Sequence, residues 1–174
     1  MSLWYNQNRR IPVYALLTGL LAVYLGFRLF FKFIPDAKLA FIYPSGVFVN
    51  AFLSGGEYSM GEWLFGGDSK TVYILGESCS GTTFFSMLFA YMTYSVVKGY
   101  RWWWLLLVYP LSLMANTIRV ISSIYAHQLI KGSAISIYAE YVHIACGVAA
   151  FLVTFILVVY ILDHLNGRAN NAAY

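Results

Sequence analysis

The chain has 174 residues, of which 60% are apolar and 10% charged, with a formal net charge of +4 and a mean hydropathy of +0.67. A water-soluble domain carries roughly 25% charged residues, so too little polar surface is present to cover a globule in water, and a bilayer is the solvent that fits. The length suits a single domain, 1–174. The excess cations read as loop charges near lipid headgroups. No basic stripe tracks one face, which argues against a nucleic-acid partner.

The first apolar stretch, about 11–33, follows "MSLWYNQNRR". It is too long for a signal-peptide h-region and lacks a small-x-small cleavage site, so it reads as an uncleaved first span. Arg28 and Lys32 interrupt only its far end. "KLAFIYPSGVFVNAFLSGG" is apolar but short, and Pro44-Ser45-Gly46 breaks it. A re-entrant or interfacial helix over about 45–54 is expected there, with a membrane crossing by 39–53 as the alternative. "GGEYSMGEWLFGGDSK" reads as a glycine-rich polar loop folded over one membrane face.

Three more spans follow, at about 82–97, 102–126 and 143–162. The third lies in an apolar stretch longer than a span needs, so it overshoots the bilayer core or kinks at Pro110. The expected fold is an all-α polytopic membrane protein of about four transmembrane helices plus the short helix near 45–54. Four crossings place both termini on one side, together with Arg9, Arg10, Lys98, Arg101 and Arg168. The positive-inside rule makes that side cytoplasmic. The opposite side holds Arg28, Lys32, Lys38, Lys70, Arg119 and Lys131, three of them inside or at the ends of apolar segments.

Counting crossings then brings three reactive side chains to one depth. Cys79 precedes the second span at its outer end. Arg119 lies ~26 Å beyond Trp102 at helical rise, near the outer interface. His143 opens the fourth span, which runs inward.

Each of these has an ordinary explanation and a chemical one. A free cysteine packs like a small apolar residue. At a helix N-terminus, among Ser80, Gly81, Thr82 and Thr83, exposed N–H groups favour the thiolate instead. A disulfide with Cys146, the only other cysteine, is the rival. Zinc lacks any ligand-pair spacing, and neither metal nor cofactor is expected. Arg119 is a snorkelling cation, an ion-pair partner of Glu77 or Glu140, or the wall of a site. Asn116, one turn earlier, can hydrogen-bond Arg119 or the loop of Cys79. His143 is either an interfacial histidine or a general acid/base oriented by Glu140. Together, thiol, guanidinium and imidazole form an acyl-transfer set: nucleophile, oxyanion donor and proton carrier. Glu77, Ser80, Gly81, Asn116 and Glu140 are candidate supporting residues.

The "ESCSG" around Cys79, the "ANTIRV" ending at Val120 and the small-residue helix opened by His143 resemble the exosortase/archaeosortase family. The resemblance runs from about Pro44 to Leu162 and is nearest the compact bacterial type called exosortase K. It implies a polytopic cysteine transpeptidase or protease with Cys79 as nucleophile and Arg119 and His143 completing the triad. It also implies substrate proteins bearing a C-terminal motif, a transmembrane helix and a basic tail, with an acyl acceptor at the cell surface. The implied location is the inner or cytoplasmic membrane, with the active site on its extracytoplasmic side. Two other functions fit the residues alone: a small transporter or channel subunit with Arg119 in an anion path, and an assembly protein stapled by Cys79 and Cys146.

Overall fold

The computed structural model describes residues 13–66, 72–98, 100–131 and 139–171. The side chains at 13, 131, 139–140, 142–143, 163 and 165–171 lie outside the described residues, as do Arg9, Arg10 and Lys70 entirely. Among the described residues, five α-helices and one small sheet follow in chain order: α1 (Val13–Phe33), α2 (Leu39–Leu53), β1 (Gly56–Ser59), β2 (Glu62–Gly66), β3 (Val72–Leu75), α3 (Thr82–Val97), α4 (Val108–Lys131) and α5 (Ala139–Asn171). Three short 3-10 turns, at Pro35–Lys38, Glu77–Cys79 and Trp102–Leu107, join them.

Among the described residues, three helical stretches are long and apolar enough to cross a membrane: Tyr14–Phe33, Trp102–Ile130 and Ile144–Leu162. The expected fourth, α3, has 16 residues. At 1.5 Å per residue it covers ~24 Å of a hydrocarbon core near 30 Å. Within the bundle, α3 is the helix the others cover. Phe84, Ser86, Leu88, Ala90, Met92 and Ser95 are buried along it. Its apolar residues pack with Val108 and Ala115 of α4 and Val158 and Leu162 of α5, and α1 packs along it as well. α1 and α5 leave their other faces open: Leu17, Leu21, Leu25 and Leu29 form an exposed row at four-residue spacing on α1. Apolar side chains lining the outside of a bundle are what hydrocarbon solvation requires.

The short apolar stretch is a helix, but it begins at Leu39, not near Ser45, and carries Pro44 inside it. Proline has no N–H to give the carbonyl four residues back. That carbonyl, on Ala40, instead accepts a hydrogen bond from the Tyr109 hydroxyl of α4 at 2.6 Å. A partner from the next helix therefore repairs the break, and helix α2 continues through the proline. Pro110, by contrast, falls in the first turn of α4, where no helical N–H is missed. The long third stretch is thus a 3-10 segment followed by a helix of 24 residues.

The polar loop expected between α2 and α3 contains a three-stranded antiparallel sheet, ordered β1-β2-β3, so the fold is not purely helical. Its hairpin turns at Met60 and Gly61, both with positive φ (51° and 86°), between the paired residues Ser59 and Glu62. That is the backbone of a two-residue type I′ hairpin. β2 alternates: Trp63 and Phe65 are buried, with Glu62 and Leu64 less so. Gly46 permits the docking, because a Cβ there would lie 2.0 Å from the Trp63 ring. Trp63, Phe65 and Leu75 join Ile42 and Val49 of α2 and Val120 and Ile124 of α4 in one cluster. The sheet is therefore fastened to the C-terminal half of α4.

Candidate active site

The chain leaves β3 at Leu75, makes a 3-10 turn over Glu77–Cys79, and enters α3 through Ser80 and Gly81. The Cys79 N–H donates to the Gly76 carbonyl at 3.0 Å and the Ser80 N–H to that of Glu77 at 3.2 Å. Gly81 then takes φ +76°, a left-handed conformation that a side chain would strain. A Cβ at Gly81 would also lie 2.8 Å from Asn116 Cγ. Two independent constraints thus select glycine there, and both exist to bring this turn against α4.

Asn116 is 1% exposed and holds the turn in place. Its Nδ2 donates to the Cys79 carbonyl at 3.0 Å and to Ser45 Oγ of α2 at 3.2 Å. One amide thereby ties α2, the cysteine turn and α4 together. Its Oδ1 is buried and makes no hydrogen bond among the described residues. Nearby, Ser80 Oγ and Thr82 Oγ1 lie 3.1 Å apart, both residues buried.

Arg119 follows Asn116 by three residues, on the same side of α4. Its Nε and Nη2 are buried and make no hydrogen bond among the described residues. The guanidinium carbon lies 5.3 Å from the centre of the Phe151 ring of α5, a cation–π contact. Its aliphatic stem runs past Gly147, where a Cβ would sit 3.4 Å from Arg119 Cδ. The ion pair with Glu77 does not form, since that carboxylate pairs with Lys38.

The guanidinium lines a cavity of about 520 Å³ together with Ser78, Ser80, Gly81, Thr82, Thr83 and Phe151. Arg28, Lys38 and Glu77 complete its wall. Arg28 reaches over from α1 to Thr83 Oγ1 at 2.6 Å. Cys79 itself packs against the apolar sheet cluster, and its neighbours Ser78 and Ser80 supply the cavity wall. Cys79 and Cys146 are both free thiols, each partly exposed.

The side chains of His143 and Glu140 lie outside the described residues; the backbone of both belongs to α5. Residue 143 comes one turn before Gly147, the position in contact with Arg119. Of the other histidines, His127 Nδ1 lies 3.1 Å from the Tyr73 hydroxyl of β3, and His164 stacks on Tyr160. Among the described residues, no group of three histidine, cysteine or carboxylate side chains could hold a metal.

The sequence marks neither Ser45 nor Phe151 as part of a site; Arg28, inside an apolar segment, is expected to snorkel or to serve a site, whereas Lys38 enters only through the charge count. A cation inside an apolar span was the available signal for Arg28. Nothing local marks Lys38, whose role depends on a residue 39 positions away. Compared with known proteins, the chain matches no family model, no curated protein and no solved structure.

Proposed function

We propose that this protein is a membrane-embedded cysteine transpeptidase or protease of the exosortase kind, acting on the C-terminal sorting signal of exported proteins. The observation that carries the reading is the clamp of Asn116 on the Cys79 carbonyl and Gly81, one turn from Arg119. It sets a cysteine turn and a buried, incompletely hydrogen-bonded guanidinium on the walls of one chamber.

The chemistry assigns three roles. Cys79 packs against the sheet cluster, so attack requires its thiol to turn towards the chamber by a χ1 rotation. The thiolate attacks the substrate carbonyl, and Arg119 donates to the oxyanion. His143 gives a proton to the departing amine, leaving a thioester on Cys79. It then takes a proton from the incoming acceptor, whose attack on the thioester releases the Cys79 thiolate. A site beside a membrane-spanning bundle suits a cleavage motif next to the substrate's own transmembrane helix. The acceptor is a cell-surface group, and the site faces the extracytoplasmic side.

The test is the accumulation of unprocessed substrate. In cells expressing Cys79→Ala, a protein ending in motif, span and basic tail should persist at full length, with the variant itself folded in membranes. Normal processing by Cys79→Ala would sink the reading. The anion-path alternative also draws on the cation-lined chamber. It requires function to survive Cys79→Ser and to fail when Arg119 is neutralised.

A further inference from the structure

A second cavity, of about 330 Å³, shares Arg28, Lys38 and Thr82 with the first and adds Leu25, Leu29, Phe31 and Lys32. The joined lining holds four cations, Arg28, Lys32, Lys38 and Arg119, against one carboxylate, Glu77. Lys38 already engages that carboxylate. An excess of cations beside an apolar bundle is expensive unless an anion joins them. Thr82 and Thr83 add hydroxyls, and the first turn of α3 opens here without a side-chain cap.

The two cavities differ in character. The chamber at Ser78–Thr83 is polar. The second is walled by Leu25, Leu29 and Phe31. Leu25 and Leu29 also belong to the exposed leucine row of α1 and are 47% and 52% exposed. The two cavities share Arg28, Lys38 and Thr82, so a cationic pocket adjoins the exposed leucine row of α1. A free anion would use only the cations; a lipid with a charged headgroup would use both the cations and the leucines.

We propose that the joined cavities bind an anionic phospholipid, with its phosphate held by Arg28, Lys32 and Lys38 and an acyl chain lying along Leu25 and Leu29. Arg119 lines only the inner chamber and stays available to the peptide chemistry. The inference does not depend on Cys79 being a nucleophile.

Protein purified in maltoside micelles is titrated with phosphatidylglycerol, with phosphatidylcholine of the same chains, and with inorganic phosphate; binding is read by native mass spectrometry. Phosphatidylglycerol should bind about tenfold tighter than phosphatidylcholine, and Arg28→Gln or Lys38→Gln should each remove about that factor. Arg28→Lys should keep most of it. Leu25→Trp, which fills the apolar part, should expel the lipid while the fold and its melting temperature persist. Equal affinity for the two lipids, or undiminished phosphatidylglycerol binding in Arg28→Gln, overturns the proposal. Displacement of the lipid by inorganic phosphate at equal concentration overturns the lipid assignment, since the anion alone would then be recognised. Cys79→Ala should bind phosphatidylglycerol like wild type. Absent lipid selectivity with processing that depends on Cys79 overturns this inference alone, and intact selectivity with normal processing by Cys79→Ala overturns the transpeptidase reading alone.

Discussion

At the scale of single residues, the site depends on Asn116 and Gly81 as much as on the reactive groups. Asn116→Ala removes the donor to the Cys79 carbonyl and to Ser45 in a buried place. It should lower stability by about 1–3 kcal/mol, the usual consequence of orphaning buried polar groups. Thermal unfolding in micelles measures this, and an unchanged midpoint would show that the turn holds itself. Gly81→Ala meets both a positive φ and the Asn116 side chain, so it should be at least as harmful, by about 1–3 kcal/mol. Arg119→Lys keeps the charge but loses the planar fork. It should abolish most substrate processing, at a level set by oxyanion donors, about 2.7–4 kcal/mol in the barrier. Wild-type turnover in that variant would reduce the arginine to a packing and charge role beside Phe151.

At the scale of elements, α2 and the hairpin show how local rules yield to neighbours. Pro44 reads as a helix breaker, yet α2 runs from Leu39 to Leu53 because the Tyr109 hydroxyl accepts the duty of the missing amide. Tyr109→Phe should therefore destabilise α2 by about 1 kcal/mol, visible as faster amide exchange at its N-terminal end. The hairpin was hidden for a different reason. Its turn places Met60, not asparagine or glycine, at a positive φ, so "SMGE" carries half of the usual turn signal. Met60→Asn should stabilise the hairpin by about 1 kcal/mol, because asparagine tolerates the left-handed region that strains methionine, and a drop in melting temperature would count against the turn. Glu62 was equally unreadable: it sits where Gly76 leaves room for its carboxylate, across the sheet from its own turn.

At the scale of the molecule, the inside of the bundle is α3 and the outside is α1 and α5. Leu88 is fully buried, while Leu21 is 56% exposed. Leu88→Ala should cost about 2–5 kcal/mol and Leu21→Ala should stay within about 0.5 kcal/mol, compared by unfolding in the same micelles. Equal losses would mean that α3 is not the core. The same partition explains why α3 differs from the three stretches that are long and apolar enough to cross a membrane among the described residues. α3 is apolar because it is surrounded by protein, and α1 is apolar because it faces hydrocarbon. Hydropathy alone does not separate the two.

Composition by itself determined the solvent. With 10% charged residues the chain has no polar coat to wear in water, whatever its topology. Sequence also marked Cys79, Gly81, Asn116 and Arg119, because a thiol among small polar residues and a cation in an apolar stretch are conspicuous where each stands. The tertiary structure alone decided which of them meet. Gly81 touches Asn116, the Cys79 carbonyl meets the same amide, and Arg28, Lys38 and Arg119 come from three separate segments to one chamber. The chamber draws together residues 91 positions apart, Arg28 and Arg119. No local pattern encodes them; they follow from how α1, α3 and α4 pack. The sheet and the direction taken by the Cys79 side chain were settled in the same way, by the apolar surface that α2 and α4 offer together.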